Sequence, residues 1–278
     1  VVTSEQRRRQ LAREKYERQM ERRVEAQQKA RRRNAIVSAA VVAVVVIAAG
    51  GAWAGGAFDA KNTSKDQTAQ AAPTPTAPMT PTAAAKPVKG CTDPAPGQPN
   101  GKQWKTEPAM SIDTNAKYTA TLDTSCGKVT IDLDAAKAPH TVNSFAFLSG
   151  EKYFDHVKCH RLTTAGIYVL QCGDPTASAT NPGGSGGPGY QFADENLTGA
   201  TYPAGTVAMA NSGPGTNGSQ FFLVYRDTQL PPSYTPFGKI TGGLDVLTNI
   251  AAGGVQGGGG DGAPVANVVL NSVTTDKS

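Results

Sequence analysis

The chain has 278 residues, enough for one large domain or two small ones, with 27 Lys/Arg against 22 Asp/Glu and a net charge of +5. The first 34 residues hold 12 Lys/Arg and 5 Asp/Glu, a net +7, so the remainder carries about −2. The basic balance therefore belongs to an N-terminal arm, and it does not mark the rest as a nucleic-acid binder.

That arm, "SEQRRRQLAREKYERQMERRVEAQQKARRR", is rich in helix formers and in charges at i, i+4 spacing. Leu11, Tyr16, Met20 and Val24 keep no heptad seam. Residues 1–34 are therefore expected as a solvated helix or disordered arm beside anionic lipid. From Ala35 to Phe58 there is no charge. About 20 apolar residues cross a bilayer as a helix, so 35–58 is expected to be a transmembrane helix. Positive flanks stay cytoplasmic, which puts the N-terminus inside and everything after Phe58 outside. "AWA" at Ala52–Ala54 would suit cleavage of a signal peptide, but the long charged stretch before it favours a retained anchor.

Residues 59–115 read as a linker. "TAQAAPTPTAPMTPTAAAKPVKG" is too rich in Pro, Thr and Ala to bury a core and acts as a semi-extended spacer. All four cysteines, Cys91, Cys126, Cys159 and Cys172, follow the apolar run. An even count on the outer side suits disulfides. Three connectivities are open.

Residues 116–278 read as one domain. In "KYTATLDTSCGKVTIDLD", Val129, Ile131 and Leu133 alternate with polar residues, predicting two short strands around a turn. "APHTVNSFAFLSG" predicts a helix with Pro139 in its first turn and Val142, Phe145 and Leu148 on one side. Further strands are predicted around 159–162, 167–171, 205–210, 220–225 and 237–240. "GLDVLTNIAAGG" predicts a second helix with Leu244, Leu247, Ile250 and Ala251 on one face, and "VANVVLNSVTT" a closing strand. Many short strands with two helices predict a mostly β fold, a closed antiparallel barrel.

Several chemistries are set aside. "NPGGSGGPG" (181–189) and "GGGGDG" (257–262) lack the Lys and the following helix of a phosphate loop, and read as mobile surface loops. His156, Cys159 and His160 do not share one strand face, and no Cys-x-x-Cys occurs, so no metal site is expected. Ser185 falls in a Gly-x-Ser-x-Gly string at 183–187, but no helix follows that glycine-rich stretch, so it does not read as a nucleophile elbow.

"HRL" with "LQCGDP" (160–162 and 170–175), "GTVAMANSGPGTNGSQFFLVY" (205–225) and "LPPSYTPFGKI" (230–240) form a set. With them the chain strongly resembles the cyclophilins, peptidyl-prolyl cis-trans isomerases with an eight-stranded barrel capped by two helices, from about Tyr118 to Thr274. Arm, apolar span, linker and barrel together resemble membrane-anchored actinobacterial members, implying a single-pass protein of the bacterial plasma membrane. Residue by residue, the resemblance implies Arg161 as the catalytic arginine, Gln171 as the glutamine near the substrate carbonyl and Phe222 as the ring beneath the proline. It implies Ala210 and Asn211 as the peptide-pairing edge, with Gln220, Leu230 and Phe237 in the pocket. Tyr168 and Val169 approximately match a Phe-Met pair, and Tyr234 stands where a histidine is common. Nine residues separate Arg161 from Gln171 where the family usually has seven, so the turn between the strands is longer.

The residues suit that chemistry. Rotation about the imide faces a barrier of about 18–20 kcal/mol, but no bond is broken, so no nucleophile, metal, nucleotide or other cofactor is needed. A donor aimed at the proline nitrogen keeps its lone pair out of the carbonyl, and arginine is always charged, with a rigid fork of donors. The expected partners are proline-containing polypeptides, exported or unfolded, met by a monomer with no nucleic acid. A different class remains open: a non-catalytic proline-peptide chaperone or cell-envelope scaffold using the same groove. Cys159 and Cys172 flank the arginine hairpin as candidate partners, with Cys91–Cys126 as the complement. Strand parity opposes that pairing unless the longer turn holds a bulge.

Overall fold

The computed structural model describes residues 88–277. The arm, the apolar run and the linker up to residue 87 lie outside the described residues. Among those described, no helix is long and apolar enough to cross a membrane.

The strands are β1 (Tyr118–Thr124), β2 (Gly127–Leu133), β3 (Val157–Lys158), β4 (Arg161–Thr163), β5 (Val169–Cys172), β6 (Thr206–Met209), β7 (Phe221–Val224), β8 (Pro236–Gly242), β9 (Asp261–Gly262) and β10 (Val269–Lys277). Two helices, α1 (Pro139–Gly150) and α2 (Leu244–Gly253), complete the elements that position the site. The strands form one curled antiparallel sheet in the order β3-β10-β1-β2-β8-β6-β7-β5-β4-β9. Among the described residues there are ten strands where eight were expected. Two of the ten, β3 and β9, have only two residues each, which leaves eight longer ones. The segment carrying β3 and β4 changes partner along its length: β3 pairs with β10, and β4 pairs with β5.

The curl follows from apolar alternation. Val129 and Ile131 of β2 point to the core, and Tyr118, Ala120 and Leu122 do so from β1. On α1, Val142, Phe145 and Leu148 are buried. The Phe145 ring lies 5.0 Å from Phe154, 5.4 Å from Phe221 and 5.5 Å from Phe237, an aromatic cluster filling the interior. The N-terminus of α1 has no side-chain cap of its own. Instead the Glu195 carboxylate accepts from the His140 and Thr141 N–H groups at 3.1 and 2.8 Å. This satisfies two orphan donors with a charge that suits the helix dipole. On α2, Leu247 and Ile250 are buried, but Leu244, expected on the same face, is 36% exposed. It is the first residue of the helix.

The expected linker needs correction over its last part. Residues 88–115 pack against the curled sheet and its helices. Cys91 is bridged to Cys126 at the β1–β2 turn. Trp104 sits edge-on to Phe147 at 5.1 Å and beside Tyr153 at 5.8 Å. The Asn143 side chain accepts from the Ser111 N–H and donates to the carbonyls of Pro108 and Ala109. The apolar members of this stretch, such as Trp104 and Ile112, are isolated in sequence and keep neither a strand nor a helix period, so a reading based on hydrophobic periodicity passes over them.

The second bridge joins Cys159 to Cys172. The β4–β5 register is regular, with Arg161 opposite Gln171 and Leu162 opposite Leu170. Continued, that register would set Cys172 against His160. The mismatch is absorbed at residues 159–160, where the chain leaves β3 for β4, and not in the longer turn where a bulge was anticipated. The Cys159 N–H there donates to Val268 beside β10.

Two histidines give stability opposite pH dependences. His160 is buried, and both ring nitrogens lack a hydrogen-bond partner among the described residues. Burial pushes its pKa below the usual value; Asp174 opposes this and Arg161 adds to it. Its folded pKa lies below the unfolded one, so its stability is present above about pH 6.5 and lost as pH falls through the folded value. His140 Nδ1 donates to the Glu107 carboxylate at 2.7 Å, and that bond raises its pKa against a smaller effect of burial. Its contribution has the opposite sign, full below about pH 6.5 and lost as pH rises through the folded value. Melting curves between about pH 7 and pH 5 should show a smaller acid-side loss for His160→Leu and a larger one for His140→Ala. An unchanged slope in His160→Leu would remove this assignment.

Candidate active site

Strand alternation builds the site. On β7, Phe221 and Leu223 face the main core, whereas Phe222 and Val224 join a second apolar cluster with Val169, Tyr202 and Ala208. The sheet is thus apolar on both faces here, which is why all of "FFLV" is buried. Cross-strand register sets Gln171 beside Phe222 and Phe222 beside Ala208. Over this patch lies a pocket of about 180 Å³. Phe222, Val169, Ile167 and Leu230 supply apolar lining, Tyr234 and Ala210 lie at the side, and Arg161, Gln171 and Asn211 add polar groups. Tyr234 is set edge-on to Phe222 at 5.6 Å. The Tyr202 hydroxyl holds it there, donating to the Tyr234 carbonyl at 2.8 Å and accepting its N–H at 3.1 Å.

The polar groups form a directed chain. Gln220 Nε2 donates to the Gly186 carbonyl at 2.8 Å. A carbonyl can only accept, so Gln220 turns its Oε1 to Gln171, whose Nε2 donates at 2.9 Å. That leaves Gln171 Oε1 for Arg161 Nη1, at 3.3 Å. The other edge of the guanidinium is gripped by Asp261, with Nε to Oδ1 and Nη2 to Oδ2 both at 2.7 Å. This fork raises the arginine's pKa and lowers the aspartate's. Both stay charged across the ordinary pH range.

A larger cleft of about 810 Å³ adjoins the pocket and shares Gln171, Ala210 and Asn211 with it. One wall is residues 103–107. Gln103 Nε2 donates to the Gly187 carbonyl at 2.7 Å, and the Trp104 N–H donates to Pro188 at 2.8 Å. The facing loop is the glycine-rich 181–189, which is not the loose surface loop its composition suggested. The N–H groups of Gly184, Ser185 and Gly186 converge on Oδ2 of buried Asp174 at 2.6, 3.1 and 2.9 Å. Burial works to raise the Asp174 pKa, but hydrogen bonds from Thr176, Gly186 and Gly184 outweigh it and bring the value down. A Cβ on Gly186 would collide with this carboxylate.

The pattern of the cyclophilin type peptidyl-prolyl cis-trans isomerase/CLD family matches residues 119–275. The chain belongs to the cyclophilin family. It is 46% identical over 207 residues to a protein of Mycobacterium leprae named probable peptidyl-prolyl cis-trans isomerase B, covering 69% of this chain. It is 43% identical over 213 residues to a protein of the same name from Mycobacterium tuberculosis, covering 72%. The chain spans 63% of the length of each of these relatives. The fold resembles a crystal structure of a Cryptosporidium parvum cyclophilin type isomerase, with a TM-score of 0.51, 26% identity, and coverage of 58% of this chain and 99% of that one. The same Cryptosporidium protein in the presence of the dipeptide Ala-Pro gives a TM-score of 0.50.

Within the cyclophilin framework, three residues expected at the pocket, Tyr168, Phe237 and Gln220, lie elsewhere. Tyr168 points away, because residues 167, 169 and 171 share the groove face and 168 takes the other. Its ring lies beneath Arg226, 3.3 Å from the guanidinium carbon, and 6.0 Å from Tyr225. Ile167 takes the place expected for it. Phe237 is fully buried in the interior, against Phe145. Gln220 lines the larger cleft and reaches the pocket through Gln171. The Ala210 N–H is committed to the Gln220 carbonyl at 2.9 Å. Asn211 donates to the Ser233 carbonyl at 2.8 Å, holding the loop that carries Tyr234. Asp261 and Tyr202 went unnoticed in the sequence. Only the strand period, carried one residue further, could have found Ile167.

Proposed function

We propose that this protein accelerates cis–trans rotation about X-Pro bonds, with the proline ring on Phe222 and the Arg161 Nη1 edge directed at the imide nitrogen. The single observation carrying this is a charged guanidinium held at the rim of an apolar pocket by Gln171 and Asp261. A donor facing the imide nitrogen binds its lone pair more strongly at the twisted geometry, where that pair is localised, than in either planar state, where it is delocalised into the carbonyl. Such preferential binding of the transition state is what lowers a barrier. Each tenfold in rate needs only about 1.4 kcal/mol of it. The Ala-Pro dipeptide used with the Cryptosporidium structure fits the same reading. Gln171 would lie near the substrate carbonyl, with Leu230, Val169, Ile167 and Tyr234 enclosing the ring.

The test is isomerisation of a proline tetrapeptide by the full chain in detergent. Peptide binding without acceleration would instead leave a proline-peptide scaffold. Because neither Arg161 nor Asp261 changes charge near neutrality, kcat/KM should be flat from about pH 6 to pH 9. A bell-shaped profile would point to a histidine and sink the mechanism.

We infer further that residues 1–34 form a cytoplasmic arm, 35–58 a single membrane span, 59–87 a spacer and the remainder an extracytoplasmic monomeric domain acting on exported or unfolded chains. The charge asymmetry around 35–58 supports this orientation. Two disulfides suit an oxidising compartment. Protease treatment of intact spheroplasts should degrade the domain and spare the arm; full protection would reverse the topology.

A further inference from the structure

We propose that Asp261 is a positioning residue for Arg161, holding the Nε–Nη2 edge of its guanidinium so that the Nη1 edge faces the prolyl pocket. The inference rests on the isomerase reading above and adds a residue from a loop set aside on composition. Its geometry is built by strand pairing. β9 pairs with β4, setting Asp261 opposite Thr163 and Gly262 opposite Leu162. Arg161 and Thr163 share a strand face, so Asp261 and Arg161 become diagonal neighbours within reach of long side chains.

The loop carrying Asp261 is tied at several points. The Thr164 N–H donates to the Gly260 carbonyl at 2.8 Å, and the Gln256 N–H to Ala263 at 2.8 Å. A bridge joins Val255 to Pro264. Gly257 and Gly258 take φ of 78° and 77°, in the left-handed region, so glycines there let the chain turn tightly and return Asp261 to β4.

The carboxylate has two opposed effects on catalysis. Its field lowers the positive potential at the pocket, while its two hydrogen bonds restrict the guanidinium. The Asp261 side chain is 54% exposed and that of Arg161 39% exposed. Water therefore screens the field at the far edge, whereas directional bonding at the near edge depends on orientation. Orientation wins, because a free arginine at this exposure has many rotamers that aim Nη1 at solvent. The same exposure makes the pair a small contributor to folding, which separates positioning from structural support.

The experiment uses the full chain in detergent with Asp261→Ala, Asp261→Asn and Asp261→Glu, measuring kcat, peptide Kd, melting temperature and the Arg161 Nε–H signal by NMR. Asp261→Ala should lower kcat about tenfold, with Kd within about twofold of wild type. Its melting temperature should be unchanged, and the Nε–H signal should broaden into exchange with water. Asp261→Asn, of the same shape and keeping one acceptor, should lose about threefold in kcat, and Asp261→Glu should recover part of the loss of the alanine variant. If Asp261→Ala does not fold, Asp261→Asn carries the test. The proposal is overturned by kcat within about twofold of wild type or above it, or by Kd rising by the factor kcat falls. Wild-type protein without turnover would overturn the isomerase reading itself; turnover indifferent to Asp261 would overturn only this inference.

Discussion

Arg161→Ala is expected to lower kcat by about 10²–10³-fold, the loss typical of removing one preorganised donor from a developing charge. Peptide Kd should stay within about threefold, because in the proposed mode the proline ring would rest on Phe222, Leu230 and Val169, which the substitution leaves in place. Arg161→Lys should recover little. An ammonium cannot satisfy the Asp261 carboxylate with two parallel bonds while keeping a donor toward Gln171. Line-shape NMR on a proline peptide separates the two quantities. A variant with near wild-type kcat would leave the pocket a binding site without this catalytic group, and a Kd loss matching the kcat loss would make Arg161 a binding residue.

The second large effect is expected at the Cys159–Cys172 bridge, which closes over a sequence separation of 13. Replacing both cysteines by alanine should cost about 3 kcal/mol of stability from chain entropy. The bridge ends lie two residues from Arg161 and one from Gln171, so it clamps the ends of the strands carrying both polar groups. Turnover should therefore fall as well. The Cys91–Cys126 bridge, with a separation of 35, supplies the comparison. Removing it should cost about 4 kcal/mol with little change in kcat, since it lies at the β1–β2 turn. Urea unfolding read beside isomerisation rates decides this. Equal kcat losses in both double variants would sever the link between the clamp and catalysis.

Much of the sheet was legible because its code is local. Val129 and Ile131 alternate with polar neighbours, and Val142, Phe145 and Leu148 recur at helical spacing; both patterns survive in the structure. Arg161, Gln171, Phe222 and Leu230 were picked out by the family resemblance, and the fold brings them to one pocket. What escaped depends on pairing across long sequence separations. Asp261 lies 100 residues from Arg161, and nothing in "GGGGDG" announces a partner. Tyr202 reaches Tyr234 over 32 residues. Tyr168 was misplaced because the family match was carried across the longer turn, whereas alternation counted back from Gln171 puts residue 168 on the opposite face. Loop 181–189 was misjudged because glycine content signals freedom only when nothing collects the amides. Here a buried carboxylate does so.

The stretch ahead of β1 carries a practical lesson about where this domain starts. The family pattern begins at residue 119, and truncation there would look natural. It would orphan the thiol of Cys126, bare the rings of Phe147 and Tyr153 and leave the Asn143 amide without its backbone acceptors. A shortened protein of that kind would be prone to crosslink with its copies through the stranded sulfur. A self-sufficient fragment must reach back at least to Cys91, so this cyclophilin brings its own collar.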